Sequence, residues 1–187
     1  DNVVAGQSTS EGVEFFLRKK EGRLRGWLGY TLSRTTDQFD DLNGGEPFPN
    51  KFDRRHDFSI TATYKVNEKV ELSANWIYAT GQAATLPIGQ ASSYVNSSGE
   101  GINPDLIYGP RNNFRFRDYH RLDLGVSLYK KKKWGERWWT FGVYNAYNRL
   151  NPFYVQAGPT FDASQRWQLS EVSLFPIIPS FSYRIKI

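Results

Sequence analysis

Phe58-Ser59-Ile60-Thr61-Ala62-Thr63-Tyr64-Lys65-Val66 alternates apolar and polar side chains without a break. Successive side chains of an extended strand point to opposite faces, so this stretch predicts a β-strand with one apolar and one polar face. The same rhythm returns in Val70-Leu72-Ala74-Trp76-Tyr78, Leu122-Leu124-Val126-Leu128, Trp139-Phe141-Val143 and Phe181-Tyr183-Ile185-Ile187. An all-β chain of long amphipathic strands follows, and its function depends on where the apolar faces point.

The chain has 187 residues, a net charge of +5 and neither cysteine nor methionine, which suits a single domain. No apolar run reaches the roughly 18 to 20 residues of a spanning helix, and nothing at Asp1 resembles a signal peptide, so a helical membrane protein is excluded. Yet 6 Trp, 11 Tyr and 13 Phe are many for a mean hydropathy of −0.59. Transmembrane β-barrels combine the two, because only alternate residues of each strand face lipid while the lumen stays polar. The lack of cysteine removes any disulfide framework, thiolate metal site or Cys nucleophile.

Strands are expected near Gly12–Lys19, Leu24–Arg34, His56–Val66, Lys69–Thr80, Tyr119–Lys130, Gly135–Tyr147 and Val172–Ile187. Most are close to the roughly 9 to 11 residues that a tilted membrane strand needs. Connections are short at Lys20–Arg23, Val66–Lys69 and Lys130–Gly135, and long at Thr35–Arg55, Gly81–Asp118 and Asn148–Glu171. Outer-membrane barrels show this asymmetry, with short periplasmic turns and long extracellular loops. On that assignment the last strand runs inward and Ile187 is periplasmic, while the first strand starts outside, so residues 1–187 read as the C-terminal part of a larger barrel. Asn43-Gly44-Gly45, Ser97-Ser98-Gly99 and Gly109-Pro110 mark the long loops as solvated surface. Pro176 and Pro179 require the outer end of the last strand to be frayed, bulged or at an edge.

A lipocalin-like soluble barrel has the same alternation turned inside out, and periodicity alone leaves both open. Strand length, loop asymmetry and aromatics near strand ends (Trp27, Tyr64, Tyr78, Tyr129, Trp134, Trp138, Tyr147) favour lipid-facing apolar residues. Asp57, Ser59, Thr61, Thr63, Glu71, Ser73, Asn75, Arg121, Asp123 and Ser127 then line the lumen. Lys or Arg at mid-bilayer on the lipid face would cost about 2–4 kcal/mol, which fixes the parity of each strand.

His56 and His120 each have acidic neighbours, the raw material of a general base, but both open a strand after a long loop as interfacial polar residues do. No nucleophile elbow, phosphate-binding glycine loop or metal-spaced histidine cluster occurs, so no catalytic, cofactor-binding or metal residues are assigned and no cofactor is expected. Asp40-Asp41 reads as an ordinary turn pair, with cation contact the weaker alternative. Lys130-Lys131-Lys132-Lys133 sits in a tight turn; a solvated hairpin end that discourages edge association explains it, contact with inner-leaflet phosphates stays open, and nucleic acid is not an expected partner.

Gly12-Val13-Glu14-Phe15-Phe16-Leu17-Arg18-Lys19-Lys20, Gly26-Trp27-Leu28-Gly29-Tyr30-Thr31-Leu32-Ser33-Arg34, Phe52-Asp53-Arg54-Arg55-His56-Asp57, Tyr119-His120-Arg121-Leu122-Asp123-Leu124, Tyr144-Asn145-Ala146-Tyr147-Asn148-Arg149-Leu150-Asn151-Pro152 and Val172-Ser173-Leu174-Phe175-Pro176-Ile177-Ile178-Pro179-Ser180-Phe181-Ser182-Tyr183 occur in that order. Together they resemble the C-terminal barrel of TonB-dependent outer-membrane receptors. The resemblance implies an all-β, transmembrane, antiparallel up-and-down barrel, of which about seven or eight strands are present here, closed around an N-terminal plug. It also implies uptake of a scarce nutrient (an iron chelate, cobalamin or a glycan) across the outer membrane of a Gram-negative bacterium, energised by the TonB complex through the plug. The implied partners are outer-membrane lipid, the remaining strands and plug, the TonB complex and the nutrient, which the three long loops contact; the individual ligand-binding residues are unknown. Ile187 departs from the aromatic residue that usually ends such barrels. The alternative is a self-contained eight-stranded barrel with a structural or adhesive role and no active transport, its extra strand drawn from Asn151–Gln168. A soluble lipocalin-like binder and an outer-membrane hydrolase rank behind these two.

Overall fold

The computed structural model describes residues 5–90, 106–159 and 167–187. In chain order the elements are β1 (Gln7–Lys19), β2 (Leu24–Gln38), a 3-10 turn (Asn43–Gly45), β3 (Phe48–Pro49), β4 (His56–Asn67), β5 (Val70–Ala79), β6 (Ala83–Ala84), β7 (Pro87–Gln90), β8 (Leu106–Tyr108), β9 (Phe114–Arg115), β10 (Tyr119–Lys132), β11 (Gly135–Tyr144), β12 (Tyr154–Pro159), β13 (Trp167–Val172) and β14 (Ile178–Lys186). The fold is all-β, and among the described residues no α-helix occurs.

The long strands form one sheet in sequence order, β1-β2-β4-β5-β10-β11-β14, with β3 added to β2. The ladders from β2 to β14 are antiparallel, so the chain runs as an up-and-down meander. Among the described residues β1 and β14 are its two edges, and no ladder closes the sheet into a barrel.

Registers align apolar residues into rows across the strands. One row reads Leu24, Tyr64, Leu72, Val126, Phe141 and Phe181 across six strands, and the next residues along form the row Arg25, Thr63, Ser73, Gly125, Gly142 and Ser180. All ten residues expected on the polar side share that second face, which follows from strict period-two alternation. Ile60, Leu124 and Phe181 on the apolar face are 36%, 45% and 62% exposed, and the buried apolar side chains among the described residues are Phe48, Ala79 and Ala83. Among the described residues no closed interior of large side chains is built on the apolar face.

Several boundaries differ from expectation for local reasons. β11 stops at Tyr144, three residues early, because Asn145 takes φ 54° and turns the chain. The last strand starts at Ile178 rather than Val172: Pro176 lies outside it, Pro179 sits opposite Val143 on the edge strand β14, and Val172 ends β13. β12 pairs with β13 in a separate two-stranded sheet instead of adding an eighth strand to the meander. The long connection after β5 holds two more ladders, β6 with β9 and β7 with β8, where solvated loop was expected. Ser97-Ser98-Gly99 lies outside the described residues. Trp27, Tyr129 and Trp138, expected in an outer aromatic belt, stand in register with Thr61, Trp138 and Arg184 on the polar face. Counting parity from the strand centres, rather than looking only at strand ends, puts them there.

The chain divides into two units: Asp1–Gly12, Ser33–Arg55 and Gly81–Phe116 in one, and Val13–Leu32, His56–Thr80 and Arg117–Ile187 in the other. The second holds the ladders of the meander from β4 to β14; the first holds two of the long connections with their short ladders, β2 with β3, β6 with β9 and β7 with β8.

Gly26 lies where β2 and β4 approach so closely that a Cβ would collide with the Thr61 carbonyl oxygen, which is backbone and cannot step aside. Gly26→Ala is expected to lower unfolding free energy by about 1–3 kcal/mol. Gly158→Ala, with nothing within 4 Å of the added carbon, should leave the urea midpoint unchanged; equal midpoints for both variants would contradict this packing.

Candidate functional site

Two polar constructions are built on this frame, one in each unit. In the sheet unit, Thr61 Oγ1 donates to Asn75 Oδ1 at 2.8 Å, and Asn75 Nδ2 approaches Asp123 Oδ2 at 3.5 Å. Asp123 also accepts Arg121 Nε at 3.0 Å and the Asn145 backbone N–H at 3.0 Å. Arg121 in turn donates to the hydroxyls of Tyr119 at 3.0 Å and Tyr144 at 2.7 Å. Arg25 pairs with Glu71 at 2.6 Å on the same face, and Ser127 bonds Thr140 at 3.1 Å. A half-buried carboxylate with this many donors is held in one orientation, so the face is a fixed polar wall rather than a set of loose charges.

Asn145 fastens the turn that follows. It is fully buried, its Nδ2 donates to the carbonyls of Arg149 and Phe175 at 2.9 and 3.1 Å, and its Oδ1 accepts the Arg149 N–H at 3.0 Å. Asparagine suits the left-handed backbone here and supplies both donor and acceptor.

In the other unit the connections 33–55 and 81–116 are bonded into one structure. Asp53 is 2% exposed; it accepts the Thr35 N–H at 2.6 Å and pairs with the Arg115 guanidinium, which also donates to the Asp53 carbonyl at 2.9 Å and the Gly81 carbonyl at 3.2 Å. Asn112 donates to Pro49 O at 2.8 Å and takes its N–H to Thr85 Oγ1 at 3.0 Å, while the Arg111 N–H meets Asn43 Oδ1 at 2.9 Å. Between these connections lies a pocket of about 550 Å³ lined by Asp37, Phe39, Asp41, Leu42, Phe48, Lys51, Arg111 and Asn112. Phe39 and Phe48 stack at 6.2 Å to give it an apolar floor, with acids and cations on the walls. That combination of volume, aromatic surface and a few polar groups suits a small polar solute with an apolar side.

The residues singled out from sequence divide between these places. His56 Nδ1 meets the Tyr30 hydroxyl at 2.9 Å and His120 Nδ1 the Tyr147 hydroxyl at 2.8 Å, two like pairs in the sheet unit. Asp40 and Asp41 separate: Asp41 lines the mixed-charge pocket, Asp40 a smaller one of about 410 Å³ with Gln7 and Gln38. Among the described residues no group of three His, Cys, Asp or Glu is placed to hold a metal ion. Sequence reasoning missed Arg115 and the roles of Asp53 and Asn145. Asp53 and Arg115 are 62 positions apart, and the only local hint was the alternation Phe114-Arg115-Phe116-Arg117. No family model, curated protein or solved structure matches the chain.

Asp53→Ala would leave the Arg115 guanidinium without its buried carboxylate and the Thr35 N–H without an acceptor. Roughly 3 kcal/mol of local opening free energy should be lost. Hydrogen exchange at residues 33–55 and 106–116 should accelerate while the amides of β4, β5 and β10 keep their protection; unchanged exchange would refute the role given to Asp53.

Proposed function

We propose that this chain is a membrane-spanning part of an outer-membrane β-barrel, and that the barrel is a TonB-dependent receptor importing a scarce nutrient across the outer membrane of a Gram-negative bacterium. The long connections face outward and contact the ligand, and the short turns and Ile187 face the periplasm. Outer-membrane lipid, further barrel strands, a plug and the TonB complex are its partners on this reading. The mechanism is capture by the loops and gated passage along the polar face, with no covalent chemistry asked of the chain.

The observation that carries the reading is the exposed, unbroken apolar face of the meander. In water, exposing Leu24, Tyr64, Leu72, Phe141 and Phe181 as one row would forfeit the main driving force of folding; in hydrocarbon those side chains are already solvated. The paired row of Thr63, Ser73, Gly125, Gly142 and Ser180 supports it, because small residues on one face and large ones on the other suit a sheet curled toward the small side. The ordered sequence resemblance supplies the receptor class, and the pocket of about 550 Å³ supplies a place for a nutrient-sized solute.

Placing a charge on each face tests the orientation. Leu124→Arg should lower folding free energy in lipid vesicles by about 2–4 kcal/mol. Ser127→Arg, on the opposite face, should lose no more than about 1 kcal/mol, the value of its hydrogen bond to Thr140. The reverse order would overturn the membrane reading. Uptake is tested separately in cells: Phe39→Ala with Arg111→Ala should reduce energised uptake while the outer membrane holds normal amounts of protein. Undiminished growth when iron, cobalamin and glycans are each limiting would overturn it.

A further inference from the structure

We infer that the short-turn end of the sheet is a binding collar for the phosphate-bearing headgroups of an anionic phospholipid leaflet, contacted by Lys130, Lys132 and Arg137. The inference rests on the membrane reading above and adds the lipid that this end selects. Segments 19–25, 65–71, 130–137 and 184–186 belong to the three short turns and the end of β14, and together carry thirteen Lys and Arg against four Glu. That local excess exceeds the net +5 of the whole chain, so everything else is net acidic.

Register places part of this charge at a specific level. Lys130 is paired with Arg137 and Arg137 with Ile185, while Leu128 is paired with Trp139. Lys130, Lys132 and Arg137 therefore continue the apolar face of β10 and β11 past the last large apolar pair of those two strands, Leu128 and Trp139, at the level of Ile185 on β14, where the proposal puts the change from hydrocarbon to headgroups. Nearby acids are engaged elsewhere: Glu71 pairs with Arg25, Glu68 with Lys65, and Glu136 accepts the Tyr129 hydroxyl on the opposite face. Among the described residues no carboxylate pairs with Lys130, Lys132 or Arg137.

Arg137 is also arranged for an external anion. Its guanidinium lies 4.3 Å over the Trp134 ring, and its enclosed Nε has no hydrogen-bond partner among the described residues. Arg184 over Trp138 at 5.2 Å and Arg23 over Tyr64 at 5.6 Å repeat the pairing of a cation with an aromatic ring around the same end. A guanidinium resting over an indole is positioned by the ring while keeping N–H donors suited to phosphate oxygens, and the indole itself favours the interface. A nucleic acid would need cations along a water-filled groove, whereas these border the surface assigned to hydrocarbon.

The test refolds the full chain into vesicles of phosphatidylcholine, alone or mixed with phosphatidylglycerol, extracts it in mild detergent and measures the phospholipid retained. Phosphatidylglycerol should be retained above its share of the vesicle, with the excess shrinking as salt is raised. Changing Lys130, Lys132 and Arg137 to Gln together should cut that enrichment roughly tenfold or more without preventing insertion. A charge-matched variant on the opposite face, with Lys131, Arg184 and Lys186 changed to Gln, should keep most of it. Equal loss in the two variants, or no enrichment by the unaltered chain, overturns the collar while leaving the membrane reading intact. Failure of the unaltered chain to insert into either vesicle overturns both.

Discussion

The register of the ladders is the constraint on which the rest depends. Because side chains alternate with period two, sliding any one strand by a single residue would exchange its large apolar set for its small polar set. Cross-strand ring pairs hold the apolar side, with Phe141 5.1 Å from Phe181, Trp139 5.5 Å from Tyr183 and Phe58 5.5 Å from Trp76. On the polar side the Thr61 hydroxyl reaches Asn75 only in the observed pairing, and between these faces Gly26 admits the Thr61 carbonyl. Three different interactions thus specify one alignment, and each would be lost in the same slip.

Once alignment is set, the polar face can carry charge. Asp123 would be expensive beside hydrocarbon, but here it gathers Arg121, Asn75 and the Asn145 N–H, and Arg121 is in turn satisfied by two tyrosine hydroxyls. The network spans β5, β10 and β11 and ends at the buried Asn145, which ties β11 to the backbone at Arg149 and Phe175. A wall assembled this way is cross-linked across the strands, so its polar groups keep fixed positions relative to one another.

What was legible in the sequence was local and periodic: the seven long strands, the sharing of one face by residues such as Thr61 and Asp123, and the placement of short and long connections. What was not legible depended on partners distant along the chain. Asp53 and Arg115 look like ordinary loop charges until folding brings them together, and Asn145 resembles any turn asparagine until its three hydrogen bonds are seen. Two-residue strands such as β6 and β9 leave too short a pattern to recognise. Trp27 and Trp138 misled because aromatic residues near strand ends suggest a belt, whereas parity, not position along the strand, decides which face a ring joins.

The two kinds of connection use charge in opposite ways, and that difference bears on orientation. In the long connections two acids are paired with bases within the protein, Asp53 with Arg115 and Glu171 with Arg117, and Asp37 accepts a hydrogen bond from the Asn50 amide. Matched charges order a loop and leave its pocket to define what binds. In the short turns the basic residues outnumber their acidic partners, and four consecutive like charges repel one another within one tight hairpin. Lys130, Lys132 and Arg137 border the apolar face with no acidic partner among the described residues, which leaves them open to the headgroup contact proposed above. Charge is thus paired within the long connections and left in excess at the short turns, so the two kinds of connection present different chemistry to their surroundings.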